Sequence, residues 1–280
     1  MKPKNLVRKG KKLILWLLLL LVVTWSFFPI LYIAVTSLKP ETEMFSYPPF
    51  MPSYVSLENY TRLLGKYHRF WDSLKNSMII TLLATTLTVA VSIPAAYAVS
   101  RYKNRKIAIF TIFTIIIRML PPIVISIPLF PLLNTLGLID THIVIILLYS
   151  AFMVSLITLI TRSFIDGVPK EIEEAARIDG CSRAQVLIKI VFPLIGPSIA
   201  ATTVITAGFT WNEYLFAFLF TATKARTTPI IISEMLQPVM AVDWGVLFAA
   251  TFIQLIPILV FTLVVQKYFV EGLTLGAVKG

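Results

Sequence analysis

Long apolar runs alternate with short polar segments along the whole chain. Six runs stand out, at about 13–38, 75–100, 107–133, 142–162, 196–222 and 244–266. Each can cross roughly 30 Å of hydrocarbon as a helix, which takes about 20 residues. Helices satisfy their own backbone groups in lipid, so a strand reading does not compete. The pattern predicts an all-α integral membrane protein with six transmembrane helices, the third broken near Pro121-Pro122. The polar segment 39–73 carries Pro40, Pro48, Pro49 and Pro52 and is expected to be a loop with extended stretches, because Pro lacks a donor and disfavours helix before it. A tight basic turn follows Ser100, and a short, nearly uncharged connection runs from Asn134 to Thr141. Segment 163–195 is the longest polar interval on its side, and 223–243 is a second loop on the other. The first run could be taken for a secretory signal, but it is too long and lacks a small-x-small cleavage site, so an uncleaved first helix is expected.

Composition agrees with the pattern. Of 280 residues, 57% are hydrophobic and only 14% charged, with mean hydropathy +0.84. A soluble chain carries roughly a quarter charged residues. The net charge of +11 would suggest nucleic acid on a soluble protein, but here the bases flank apolar runs. Lys2, Lys4, Arg8, Lys9, Lys11 and Lys12 precede the first run, and Arg101, Lys103, Arg105 and Lys106 follow the second. Arg162, Lys170, Arg177, Arg183 and Lys189 lie in or beside the long loop, and Lys267 and Lys279 near the end. That bias places these segments inside, with six spans and both termini cytoplasmic, and excludes nucleic-acid binding. Cys181 is the one cysteine, so no internal disulfide is expected. His68 and His142 stand apart from any ligand-spaced partner, so no metal site is assigned.

The cytoplasmic loop reads as helix, tight turn, helix. Pro169 suits a first helical turn. Glu171, Glu173 and Glu174 lie where the helix dipole favours negative charge. Gly180 suits the left-handed position past a helix end. Ser182 and Gln185 match a capping box, and Pro193 is expected to close the second helix. Small residues at Ala175 and Ala176 would let a partner backbone approach. By spacing alone, the segment is equally an ordinary solvated loop with two amphipathic turns.

Glu174-Ala175-Ala176, then Gly180 after three intervening residues, then Ile190 to Pro193, resembles the Glu-Ala-Ala loop of binding-protein-dependent ABC importer permeases. Phe192 stands where that motif usually has Leu, and Cys181 where Ala or Ser is common. Ser37-Leu38-Lys39-Pro40, Leu57-Glu58-Asn59-Tyr60, the stretch Leu136 to Thr141, Trp211-Asn212-Glu213 and the tail from Glu271 to Gly280 resemble the maltose-type carbohydrate permeases, and among those the smaller six-helix subunit. The resemblance implies a type I ABC importer permease fold, with a permease domain at 13–270 after a basic N-terminus (1–12), a coupling loop at 169–193 within it, and a cytoplasmic tail at 271–280. It implies coupling to an ATPase through Glu174, Ala175, Ala176, Asp179, Gly180, Ile190 and Pro193. It also implies a prokaryotic plasma membrane location and partners: a second permease subunit, an ATPase dimer, an extracytoplasmic solute-binding protein, a sugar, and membrane lipid. ATP and Mg would belong to the ATPase. This chain has no Gly-x-x-x-x-Gly-Lys-[Ser/Thr], so no cofactor and no hydrolysis are expected in it.

Two charges fall inside the predicted spans. Arg118 should face a water-filled path or a carboxylate. Glu213 lies in the fifth run beside Asn212 and Tyr214, and carboxylates, amides and aromatics suit sugar hydroxyls and ring faces. These four are the candidate translocation path. The opposing reading is a structural Arg118–Glu213 ion pair. Asn134, Tyr149 and Gln254 are weaker candidates, better explained by interhelical hydrogen bonding. An ion-coupled secondary transporter would need a relay of intramembrane carboxylates, for which Glu213 alone is thin. A permease for a non-sugar solute and a membrane scaffold without a transport role compete with the sugar reading. No catalytic grouping is apparent, so no enzyme is expected.

Overall fold

The computed structural model of the protein describes residues 3–45, 50–102, 104–237 and 242–277. Lys2, Pro48, Pro49, Lys103 and Lys279, which entered the loop and charge readings, lie outside the described residues. Among the described residues every regular element is helical. The chain forms two compact units, Met1–Phe70 with Ile232–Leu255, and Trp71–Ile231 with Ile256–Gly280.

In the first unit, α1 (Pro3–Ser37) takes in the basic residues predicted as a separate N-terminus. The helix simply continues, since nothing between Lys4 and Leu13 breaks it. The loop predicted at 39–73 is less extended than expected. It holds a short 3-10 turn at Glu41–Glu43 and then α2 (Glu58–Lys66). Its prolines are confined to 40–52, which leaves the rest free to wind, and Asn59 and Leu63 fall on one buried face. Asn59 Nδ2 donates to the carbonyls of Ser37 (2.9 Å) and Lys39 (2.8 Å), which the end of α1 leaves unpaired. The hydroxyls of Tyr60 and Ser37 are 2.7 Å apart. Arg62 donates to Asn59 Oδ1 and pairs with Glu41 at 2.7 Å and Asp243 at 3.1 Å.

The second unit is built on α3 (His68–Arg101), α4 (Arg105–Met119), α5 (Pro122–Thr135) and α6 (His142–Asp166). The loop follows as α7 (Lys170–Ile178), α8 (Arg183–Val186), a π segment (Leu187–Val191) and α9 (Phe192–Leu194). Then come α10 (Gly196–Asn212), α11 (Leu215–Phe220) and the start of α12 (Thr228–Met235); the rest of α12 and α13 (Trp244–Ala277) as far as Leu255 belong to the first unit, and α13 from Ile256 to the second. The second loop, predicted at 223–243, thus contains a helix. The sixth run continues as α13 into the predicted tail.

Among the described residues, four helical stretches are long and apolar enough to span alone: Lys11–Ser37, His68–Arg101, His142–Asp166 and Trp244–Val265. The remaining two predicted spans are bent pairs. In the third, Arg105–Met119 meets Pro122–Thr135 at 97°. Pro121 drives Leu120 into an extended conformation (ψ 135°), and two consecutive prolines remove two donors. The fifth run is corrected further. It is not one helix over 196–222: α10 stops at Asn212, and Glu213 is extended (ψ 132°). Its helical neighbour lies upstream instead, where Arg183–Leu194 meets Gly196–Asn212 at 80°.

Two apolar clusters lie in this unit. One joins Ile80, Ala84, Val144, Ile145, Tyr149, Phe216 and Phe220, gathering α3, α6 and α11. The other joins Ile93 and Ala96 of α3, Ile165 and Val168 after α6, and Ala176, Val186, Val191 and Ile195 of the loop. The loop therefore has an inner face seated on the ends of α3 and α6.

Candidate functional site

The loop at 169–195 is closed by local hydrogen bonds at nearly every turn. Past α7, Gly180 N–H donates to Arg177 O (3.1 Å) and Cys181 N–H to Ala176 O (3.0 Å), the paired bonds of a Schellman stop. Gly180 has φ +88°, the left-handed conformation that Gly adopts without penalty. The capping box forms as expected. Gln185 N–H donates to Ser182 Oγ (3.3 Å) and Ser182 N–H to Gln185 Oε1 (2.7 Å). Pro193 is a correction, because it does not close the second helix. The chain widens into the π segment, where Phe192 N–H reaches Leu187 O. Pro193 then sits in the first turn of α9, where its missing N–H leaves no orphan. The end falls at Ile195, ahead of Gly196-Pro197.

The seven predicted coupling residues divide between two faces. Ala176 is buried and Ile190 packs against the inner cluster. Glu174, Ala175, Asp179, Gly180 and Pro193 are exposed. Beside them Ile172 and Ile178 stand in the open, Ile178 at 86% exposure. An isoleucine so exposed on a segment outside the spans marks a surface that another molecule can cover.

Glu173, which the sequence reading did not single out, fastens this helix. Its carboxylate accepts from Arg101 Nε (2.8 Å), Arg101 Nη2 (2.6 Å) and the Tyr97 hydroxyl (2.9 Å). Arg101 also donates to the carbonyls of Ile165 (2.9 Å) and Val168 (3.0 Å). Both side chains of the pair are at most 10% exposed. One guanidinium thus ties α3, the end of α6 and α7 together. Nearby, Arg183 of α8 lies 4.9 Å over the Tyr102 ring and donates to its hydroxyl.

The structure separates the candidate path residues. Arg118 is in the last turn of α4, where a cation suits the helix dipole. Its guanidinium lies 5.3 Å over the Phe152 ring, with a long 3.5 Å contact to Phe152 O. Glu213 turns back on α11, accepting from Phe216 N–H (2.9 Å) and Ala217 N–H (3.3 Å). Among the described residues no ion pair joins Arg118 to Glu213. Asn212 Nδ2 donates to Gly208 O (2.8 Å), and Tyr214 stacks on Phe218 at 5.5 Å. Phe152 stacks on Phe209 at 5.5 Å and meets Phe216 at 5.8 Å, so an aromatic layer lies beside Arg118. Tyr149 is fully buried, its hydroxyl 3.4 Å from Glu213 O. Asn134 ends α5, and Gln254 lies on α13.

Asp140 was also missed. It sits at φ +61°, unusual outside Gly. Its carboxylate accepts from the N–H groups of Ala222, Thr223, Lys224 and Ala225 and from the Thr223 hydroxyl, at 3.0–3.1 Å. Partial burial pushes its carboxyl up, but the four backbone donors outweigh this and hold it well below the usual carboxylate range. Asn76 supports the same region. It donates to Lys224 O (2.8 Å) and Arg226 O (3.0 Å) and meets His142 Nε2 at 2.7 Å.

Residues 88–274 match the family described as binding-protein-dependent transport system inner membrane component. The trehalose/maltose transport system permease protein MalG of Thermococcus litoralis is 35% identical over 96% of this chain and 98% of its own length. The probable ABC transporter permease protein YurM of Bacillus subtilis is 32% identical over 95% and 88%. The arabinooligosaccharides transport system permease protein AraQ of Halalkalibacterium halodurans is 30% identical over 98% and 99%. Among solved structures, a chain of a bacterial ABC transporter involved in alginate import superposes with TM-score 0.78 at 22% identity, over 96% of this chain and 99% of that one.

Proposed function

This chain belongs to the binding-protein-dependent transport system inner membrane components, and from that premise we propose that it is one permease subunit of an ATP-driven importer for a sugar or oligosaccharide. The observation that carries the coupling half is α7: a capped helix that presents Ala175 and Ile178 outward and is bolted to α3 through Glu173 and Arg101. An ATPase pair outside the membrane docks on that face. When the ATPases close on ATP, they draw α7 with them. The Arg101–Glu173 pair and the apolar cluster behind it pass the displacement to α3 and α6, and the spans rock between their two accessible states. A second permease subunit completes the path. A solute-binding protein delivers its load to the opposite face, as in a related alginate transporter solved with a periplasmic protein carrying an alginate pentasaccharide. The chain is not catalytic.

The sugar half is supported by relatives named for trehalose/maltose and arabinooligosaccharides. An ion-coupled carrier loses support because Glu213 is engaged as the cap of α11. The test is reconstitution of the chain with its partner permease, ATPase and binding protein in vesicles. ATP-dependent accumulation of radiolabelled maltose, trehalose or a pentose oligosaccharide is the expected result. ATP-dependent accumulation of another solute with none of these would sink the sugar reading. Uptake driven by an ion gradient without ATP would sink the ABC reading.

A further inference from the structure

Near the end of the spans that carries α7, the last turns of α3 and α6 and the first turns of α4 enclose a groove of about 550 Å³. Its wall is apolar: Val99, Ile107, Ile112, Ile115 and Leu159. Its mouth is polar and basic: Tyr102, Asn104, Arg105 and Arg162, with Lys106 next in sequence. We propose that this groove holds a phospholipid with an anionic headgroup, its phosphate between Arg105 and Arg162 and one acyl chain along the isoleucines of α4. The proposal stands apart from the identity of the transported solute and needs only that these helices lie in a bilayer.

The groove joins two chemistries at one depth. An apolar wall that ends in guanidinium groups fits a ligand with a long apolar tail and a charged head. Water has no partners along Ile112 and Ile115, which are exposed. The charges decide the sign of the head. Arg105 is exposed and forms none of the chain's ion pairs among the described residues. Among the described residues Arg162 pairs with one acid, Asp166, at 3.3 Å, and that acid also accepts from Ser100 at 2.5 Å. The mouth therefore keeps an excess of positive charge. A planar guanidinium can hold a phosphate through two parallel bonds. Tyr102 and Asn104 add polar groups at headgroup height, and an aromatic with a hydroxyl is at home there. A zwitterionic lipid would satisfy the tail but leave this excess unbalanced.

The test is native mass spectrometry of the assembled transporter, exchanged into detergent with equal phosphatidylglycerol and phosphatidylcholine. Phosphatidylglycerol should be retained roughly tenfold to thirtyfold over phosphatidylcholine, the scale of two basic contacts at a membrane surface. In R105Q/R162Q the two lipids should be retained equally. Thr111→Trp keeps the charge and fills the groove, and should displace both. Should the double variant fail to assemble, R105Q alone, on an exposed side chain, must still lower the preference severalfold. Equal retention of both lipids by the native protein overturns the proposal, as does a preference that R105Q/R162Q leaves unchanged. So does efficient cross-linking from Thr111→Cys to the partner permease subunit, which would make the groove a protein interface.

Discussion

Glu173 receives three donors in a space mostly shielded from water, so its partners are hard to remove singly. Arg101→Met leaves a buried carboxylate with one hydroxyl partner and should destabilise the subunit by about 3–5 kcal/mol. Adding Glu173→Leu should recover most of that, since an apolar pair of similar volume is often neutral. Thermal unfolding of the purified complex checks both, and the sugar taken up per ATP hydrolysed should stay low in the double variant. Stability restored with coupling also restored would remove the ion pair from the path of force. Asp140→Asn tests a single charge, because Asn tolerates the same left-handed backbone. The site is open to water, so the expected loss is about 1 kcal/mol. The folded carboxyl lies below its unfolded value of about 3.9. Its contribution is therefore complete above that pH and lost as pH falls through the folded value. The gap between wild type and variant should stay flat from neutral pH to about 5 and narrow only below about 4, as unfolding followed over that range would show. At Gly180 a Cβ meets nothing within 4 Å, so any penalty there is backbone strain from φ +88°. Gly180→Val should cost about 1–3 kcal/mol and weaken recovery of the ATPase in pull-down, while Gly180→Asn should do less.

At the scale of elements, three of the described helices start under a short side chain that accepts a backbone N–H: Asn104 for α4, Thr141 for α6 and Ser182 for α8. Ser182→Ala removes half the capping box and should cost about 1 kcal/mol, visible as faster amide exchange confined to α8. Gly245 is a tighter case. A Cβ there would collide with Asn59 Oδ1, and Asn59 cannot withdraw without dropping the carbonyls of Ser37 and Lys39. Gly245→Ala should therefore lower the melting temperature by several degrees. These contacts show what was legible in the chain. The caps of α7 and α8 could be read because Pro169, Gly180, Ser182 and Gln185 act within a few residues of themselves. Asn59, Asp140 and Glu173 could not, since each serves backbone or charge far away in sequence. Asn59 closes the end of α1, and Asp140 gathers the turn at 222–225. The motifs Leu57 to Tyr60 and Leu136 to Thr141 looked only like family markers in the sequence, and Trp211 to Glu213 also like part of a path. In the fold, Asn59 closes the end of α1, Thr141 caps the start of α6 and Glu213 accepts from the first N–H groups of α11. The break after Asn212 was hidden because the apolar run resumes at Tyr214 and continues through Phe220, so Asn212 and Glu213 read as polar residues within one span.

For the whole molecule, four of the hydropathy runs match single helices among the described residues and two fall on bent pairs, with the bend foreseen only at Pro121-Pro122. Apolar content reports where the lipid lies, whereas a bend depends on one or two donors. Pro121-Pro122 signalled one such break; the other, at Gly196-Pro197, was not read from the sequence. The π segment between them and α8 had no signal, because it answers to a proline two residues beyond its end. Arg118 shows the cost of assuming a straight rod. On a continuous third helix it would be a charge deep in hydrocarbon seeking a carboxylate. At the end of α4, it finds an aromatic face and the negative pole of its own helix.

The fastening of α7 also has a mechanical side. α3 is one helix of 34 residues, about 50 Å long, and its anchor to the loop is its last residue. A beam held at its tip converts a small rotation there into a large excursion at the far end. A tilt of about 5° imposed at Arg101 would sweep the other end through about 4 Å over that length. Slack in the anchor would be lost motion, which gives a bond buried from water and shared among three elements a value beyond the stability it adds.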